Sequence, residues 1–327
     1  MNEIVCPVCS QKNMQSAIQQ YTEPITRVDY KLYFCNNCEV EFWTPLIMPP
    51  PSYYEKQCGA DYKSRHEEGN LGLQPWHKVF IRNYDKLGLK GKILDVGCAD
   101  GGFLRRMKDL GWDVYGIEMD TLSSSNAKIN CKTDYIFPSF EALLRRIEPN
   151  SFDIITFFEV LEHQADPKDF IASVKKLIKK NGRIAGSVPN RDRYIVAKRF
   201  SPDIPPHHFT LWNHGILNRF VKSQGFDNFR FFYARYEPHL INQLVSNMVY
   251  HWLSRQKLKL GMQSFHESDR SEGYSLKSWI LTNGKRWVWD PLIKIVSIME
   301  YPFLYSTKKS ISIAFDAKIV SEKELKN

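Results

Sequence analysis

The sequence predicts an α/β protein, with a Rossmann-like sheet of seven strands, a small cysteine ribbon ahead of it and a helical insert before the last strand. Three observations carry this expectation. Two CxxC pairs fall within residues 6–38. The stretch GKILDVGCADGGFLRRMKDLGWDVYGIEMD, beginning at Gly91, reads as strand, glycine turn, helix and strand. Strand-like and helix-like runs then alternate downstream, the pattern of a sheet whose parallel strands are joined through helices.

The ribbon comes first. Cys6 and Cys9 form one CxxC turn and Cys35 and Cys38 the other, while Cys58, Cys98 and Cys131 are scattered. Each turn aims two thiolates at one centre, and two such turns supply the four sulfurs of a tetrahedral zinc. The second turn lies between YKLYF and EVEFW, which read as short strands. So small a piece has little core, and metal binding would supply much of its folding free energy. Binding RNA, packing on a neighbouring domain and helping to close an active site are all open to it. The ribbon is expected over 1–47 and a connector over 48–75. LIMPPPSYYEKQ, with three successive prolines, marks that boundary. QPWHKVFIRNYDKLGL then reads as a helix leading into a core over 76–236.

In the core, KILDVG is a buried strand ending at Gly97. Cys98 to Gly102 form the turn, FLRRMKDLG is a helix stopping at Gly111, and WDVYGIE is a strand ending on Glu118. A carboxylate some twenty residues after the turn is placed to accept hydrogen bonds from two ribose hydroxyls. Asp95 and Asp100 would repel a pyrophosphate, which backbone amides of such turns otherwise hold. They suit a sulfonium and an ammonium group, favouring S-adenosylmethionine over NAD.

ILDVGCADGGFL resembles motif I of the class I methyltransferases, and YGIE resembles the acidic motif that follows it. SFDIITFFEVLEHQADPKDFIASVKKLIKKNGRIAGSVPN is similar to the fourth strand, helix and fifth strand of that family. The resemblance covers Trp76 to Tyr236. It implies that Asp95, Gly97 and Gly101, with Cys98 and Ala99, line the methionine portion of the cofactor. Glu118 would hold the ribose beside Met119, Phe140 would touch adenine, and Phe158 and Glu159 would close the site. NGR stands where the family has PGG, and Asn-Gly still makes a turn.

Two constellations face the acceptor side. Glu159, Glu162 and His163 form an ExxEH cluster that resembles the metal motif of ubiquinone-pathway and small-RNA O-methyltransferases. There a divalent cation binds the acceptor oxygens and lowers a hydroxyl's pKa. The same residues can instead cap the next helix, and magnesium is the less expected cofactor. His207 and His208, in PPHHF after the fifth strand, are the candidate general bases. The alternative for them is one ring packed on Trp212 and one in solvent.

FDNFRFFYARY reads as the sixth strand and SISIAFDAKI as the seventh, which the resemblance to the class I fold implies are an antiparallel pair at the sheet edge. The intervening 237–309 holds HLINQLVSNMVYHWLSRQ and KRWVWDPLIKIVSIMEYPFLY and is expected to be helical. A lid, a dimer surface, a membrane-surface element and a plain extension of the core are open to it, and 310–327 completes the sheet.

Composition bounds the rest. At 327 residues, with 43% hydrophobic and 25% charged, the chain can bury a substantial core. MNEIVCPVCSQK lacks an apolar signal region. Pro291 to Tyr305 is broken by Lys294, Glu300 and Pro302, too short a run to cross a bilayer. A cytoplasmic location is expected, with peripheral contact at the inner face of the membrane open through the insert. The net charge of +9 favours anionic partners, or only keeps the surface soluble.

Ribbon-plus-methyltransferase chains with PPHH loops and long inserts look like enzymes of bacterial surface-polysaccharide and glycan pathways. The expected activity is therefore methyl transfer to a small-molecule or glycan acceptor: a sugar, nucleotide sugar or lipid-linked saccharide. An RNA methyltransferase gripping RNA by its ribbon is the first alternative, although no aromatic-basic stripe stands out. A zinc-stabilised binding module without activity is the second. Oligomeric state and the atom methylated are left open.

Overall fold

The computed structural model describes residues 3–49, 72–86, 88–193, 203–233 and 312–320. The chain divides into a unit of Met1–Ala234 with Ile311–Asn327 and a unit of Arg235–Ser310. Every described residue belongs to the first unit. Most of the connector, and the whole helical insert, lie outside the described residues.

The ribbon is a meander of β1 (Gln19–Thr22), β2 (Asp29–Phe34) and β3 (Glu41–Thr44), paired antiparallel in that order. The core opens with α1 (Pro75–Lys86), which buries Phe80 and Tyr84. β4 (Lys92–Val96) is almost wholly buried, as a central parallel strand covered on both faces must be. α2 (Gly102–Asp109) buries Phe103, Leu104 and Met107 on one stripe. β5 (Asp113–Ile117) follows, then α3 (Thr121–Cys131), capped by Asp120, whose side chain accepts the Ser123 amide. β6 (Ile136–Phe137), α4 (Phe140–Leu144) and β7 (Phe152–Phe158) complete the first half of the sheet. α5 (Pro167–Leu177) starts with the Asp166 cap and a proline at its first turn. β8 (Ile178–Pro189), the two-residue β9 (Thr210–Leu211), α6 (His214–Ser223), β10 (Phe226–Tyr233) and β11 (Ser312–Ile319) follow.

The large sheet runs in the order β10-β11-β8-β7-β4-β5-β6, seven strands. β4, β5, β6, β7 and β8 are parallel, and β11 runs antiparallel between β8 and β10. The expected α/β fold and the antiparallel edge pair are therefore both present. One local detail differs. Asn181 and Gly182 were expected to make a turn ahead of the strand, yet they lie inside β8. Phe152 pairs with Ile178 and Ile154 with Arg183, so the extra residues bulge there, and Asn181 takes a φ of 69°.

β9 joins the ribbon rather than the large sheet. Glu41 pairs with Leu211 and Phe42 with Thr210, giving a second, four-stranded sheet ordered β1-β2-β3-β9. Tyr30, Leu32, Trp43 and Phe209 form one buried cluster across this seam. Arg191 donates to the Glu39 carbonyl, and Arg219 to the Cys38 carbonyl and the Glu39 carboxylate. Of the roles open to the ribbon, packing on the core is the one seen.

Candidate active site

The residues expected to hold the cofactor lie where β4, β5, β6 and β7 end. Gly97 has a φ of 76°, and a side chain there would run into the Val160 methyl at 2.8 Å. Gly101, at a φ of 80°, heads α2, and a Cβ would sit 2.8 Å from the Cys131 sulfur. Both positions need glycine. The Glu118 carboxylate accepts the Ala99 amide at 3.0 Å and the Asp120 amide at 2.9 Å, so the acidic residue and the turn are locked together. Burial raises its pKa above the usual value, against those amide bonds. Cys98 is buried and Ala99 and Met119 are exposed along the same rim.

Asp95 is buried and accepts the Thr156 hydroxyl from the neighbouring strand at 2.6 Å. Burial pushes its pKa up to about 7, the Thr156 bond working the other way. Asp100 is also buried, with Asn126 donating to its carboxylate. Phe158 stands in an aromatic cluster with Phe80, Phe103 and the α1 residue His77, whose ring meets Phe158 edge-on at 4.9 Å. His77 was not singled out from sequence, since a lone histidine in an amphipathic helix carries no local signal. Phe140 contacts Phe170 edge-on.

A second cluster of polar side chains is assembled from two distant stretches of the chain. His163 closes a single 3-10 turn after β7, while His207 and His208 precede β9. Their ring nitrogens lie within 4.8 Å of one another. His163 Nδ1 donates to the His207 carbonyl at 2.5 Å, and His208 Nδ1 to Asp203 Oδ1 at 3.1 Å. With both Nδ1 positions donating, each ring presents its Nε2 on the Glu162 side. The two Nε2 atoms lie 3.8 and 4.0 Å from Glu162 Oε1. Glu162 is 1% exposed, and neither of its oxygens has a hydrogen-bond partner among the described residues.

Two imidazole nitrogens thus meet a buried carboxylate that has no hydrogen-bond partner among the described residues, an arrangement that suits a cation or a proton. Burial, then Glu159, raises the Glu162 pKa well above the usual carboxylate range. Burial, then His208 and His207, lowers that of His163 to about 3. His207 falls to about 4 by burial and by His208, and it is the most exposed of the three.

The structure therefore separates residues that sequence grouped. Glu162 and His163 join the histidines, whereas Glu159 accepts the Ser187 hydroxyl at 2.8 Å and faces β8. Both rings of the histidine pair stand against His163. Asp203 and Trp43 were missed altogether, the first as one acidic residue in a loop and the second as a core aromatic.

In the ribbon, the Cys6 and Cys38 sulfurs are 3.6 Å apart and those of Cys9 and Cys35 3.5 Å apart, with all four within 4.8 Å. Zinc–thiolate bonds of about 2.3 Å in tetrahedral geometry need sulfurs roughly 3.8 Å apart. The four-cysteine cluster fits zinc.

Seven strands in this order, with a glycine turn locked to an acidic residue at the next strand, make the α/β fold of the methyltransferases. Residues 73–230 match the family profile described as a methyltransferase domain. The ubiquinone biosynthesis O-methyltransferase of Idiomarina loihiensis is 34% identical over 132 residues, 37% of this chain and 54% of that protein. Its counterpart from Burkholderia multivorans is 31% identical over 137 residues, 41% of this chain and 56% of the relative. The chain thus spans about half the length of the curated relatives it matches. Among solved structures, a Haemonchus contortus phosphoethanolamine N-methyltransferase 2 complex superposes with a TM-score of 0.52 at 14% identity, covering 93% of this chain and 72% of that one. At that identity the likeness shows the fold. Among the described residues no helix is long and apolar enough to cross a membrane.

Proposed function

We propose that this chain transfers the methyl group of S-adenosylmethionine to an oxygen of a small-molecule acceptor, with Glu162, His163, His207 and His208 as the acceptor-side site. The observation that carries the reading is the approach of two imidazole Nε2 atoms to the buried Glu162 carboxylate, which has no hydrogen-bond partner among the described residues, beside the end of β7. The curated relatives named above are O-methyltransferases by name, which supports oxygen as the atom methylated. Resemblance to surface-glycan enzymes supports a sugar, nucleotide sugar or lipid-linked saccharide as the acceptor.

Methyl transfer is an in-line displacement: the acceptor oxygen forms a bond to the methyl carbon as the sulfonium–carbon bond breaks. The protein has to place the two partners and take the hydroxyl proton. On the cofactor side, Asp95, Gly97, Cys98, Ala99 and Gly101 would line the methionine arm. Glu118 would hold the ribose, with Met119, Phe140, Phe158 and Glu159 around the nucleoside and the methyl. His207, neutral and the most exposed ring, would accept the proton.

Glu162, His163 and His208 suit a divalent cation. Such an ion, when bound, lowers the pKa of the acceptor hydroxyl. A histidine-rich set favours zinc, copper, iron or nickel over magnesium.

The test is methyl transfer from labelled S-adenosylmethionine to a panel of nucleotide sugars, lipid-linked saccharides and catechols, together with metal analysis. An oxygen-methylated small molecule, and two metal equivalents per chain falling to one in Glu162→Ala, are expected. Methylation of RNA alone would overturn the acceptor class. One equivalent, unchanged in Glu162→Ala, would overturn the acceptor-side metal.

A further inference from the structure

The seam between the ribbon and β9 reaches the histidine cluster through one side chain. Trp43, in ribbon strand β3, is 1% exposed. Its indole Nε1–H donates to the Asp203 carbonyl at 3.2 Å, across 160 positions of sequence. Its backbone N–H donates to the Phe209 carbonyl at 2.8 Å. These two bonds bracket His207 and His208. The Asp203 carboxylate in turn accepts His208 Nδ1–H at 3.1 Å and pairs with Arg193. From the core side, the Phe209 amide donates to the Glu162 carbonyl at 2.8 Å and the His208 amide to the Ile204 carbonyl at 3.1 Å.

We propose that Trp43 is a positioning residue for His208: the ribbon, through the Trp43 indole and Asp203, fixes the ring that faces Glu162. The proposal rests on reading the histidine cluster as the acceptor-side site. A hydroxyl or imidazole aimed at a reacting group must be held within a fraction of an ångström, and a loop does not hold itself. Histidine orientation is set by the partner of the nitrogen that does not react, and here that partner is a carboxylate on the residue the ribbon grips. The metal of the ribbon thereby gains a role beyond folding its own segment. The four cysteines stabilise β2 and β3, β3 carries Trp43, and Trp43 sets the loop.

The experiment uses the full-length, zinc-loaded protein and two changes at one position. Trp43→Phe keeps a ring and removes the N–H. Site-specific incorporation of a 3-benzothienyl side chain at position 43 replaces only the indole N–H by sulfur, which keeps the packing if the first variant does not fold. Zinc content and S-adenosylhomocysteine affinity should be unchanged. The amides of His208 and Phe209 should exchange with solvent about five- to tenfold faster, the loss of one buried hydrogen bond. The downfield imidazole proton on His208 Nδ1 should broaden away.

If the acceptor-site reading holds, kcat falls about tenfold with the cofactor KM unchanged. Faster exchange with an unaltered kcat supports the positioning link and counts against the acceptor-site reading. Unchanged exchange and an intact imidazole proton in the benzothienyl protein overturn the proposal, whatever happens to kcat.

Discussion

The two halves of the site are built in opposite ways. The cofactor half comes from one contiguous stretch, β4, the glycine turn, α2 and β5, and its main lock joins residues 19 positions apart, Ala99 and Glu118. The acceptor half gathers Glu162 and His163, the loop from Asp203 to Phe209, and Trp43 of the ribbon, with a bond across 160 positions. The first is a local device that many acceptors can share. The second is a tertiary device, and under the proposed function it is where the choice of acceptor would lie. The same contrast appears in the charges. At the cofactor turn every acidic oxygen with a visible role accepts a hydrogen bond, whereas Glu162 is left with none among the described residues.

The sharpest way to break this comparison is at the ribbon. Cys35→Ser should release zinc, whose binding in small zinc domains is worth about 10–16 kcal/mol, and unfold the ribbon. If the halves are separate devices, S-adenosylhomocysteine should still bind while methyl transfer is lost. Calorimetry and zinc analysis on one sample decide it, and loss of cofactor binding would show the halves to be one unit. Next in size, His207→Ala should lower kcat by about 10²–10⁴-fold with cofactor affinity nearly unchanged. A drop confined to cofactor affinity would move that histidine to the other half.

Glu118→Ala should weaken S-adenosylmethionine by about 1–3 kcal/mol through lost ribose hydrogen bonds. Binding of NAD with no heat from S-adenosylmethionine would contradict the cofactor itself.

Two smaller effects sharpen the picture of the shared wall. Thr156→Val removes the hydroxyl that Asp95 accepts and leaves a buried carboxyl short of a partner, at about 1–3 kcal/mol in urea unfolding. His77 is buried against Phe103 and Phe158, and burial lowers its pKa from 6.5 to about 3. Between those values the unfolded chain takes up a proton that the folded chain refuses. Stability should therefore fall as pH drops from about 6.5 toward 3, and His77→Phe should flatten that limb. An unchanged acid limb would show that the ring is protonated in the folded protein.

Much of this was legible in the residues. The strand of KILDVG, the stops at Gly97 and Gly111 and the acidic end at Glu118 are local patterns of period and turn chemistry, and each falls where expected, whereas the pairing of the edge strands came from the family resemblance. The four cysteines announced their cluster because ligand spacing is written within each CxxC turn. The bulge at Asn181 and Gly182 escaped, since the same two residues suit a turn and a bulge, and only the register against β7 distinguishes them. Phe158 shows the same limit. Its position after β7 could be read, but the ring's neighbours, His77 and Phe103, come from two other helices.

By itself, then, the sequence determined the order of elements, the cofactor turn and the metal-binding character of the ribbon, because each depends on residues within one or two turns of each other. Only the tertiary structure decided that Glu159 turns toward Ser187 while Glu162 joins three histidines, and that the ribbon's third strand pairs with β9. Two-residue pairing between segments so far apart leaves no periodicity of its own. It exists because closing the fold brings a strand edge with free amides and carbonyls against a loop whose own backbone groups also need partners.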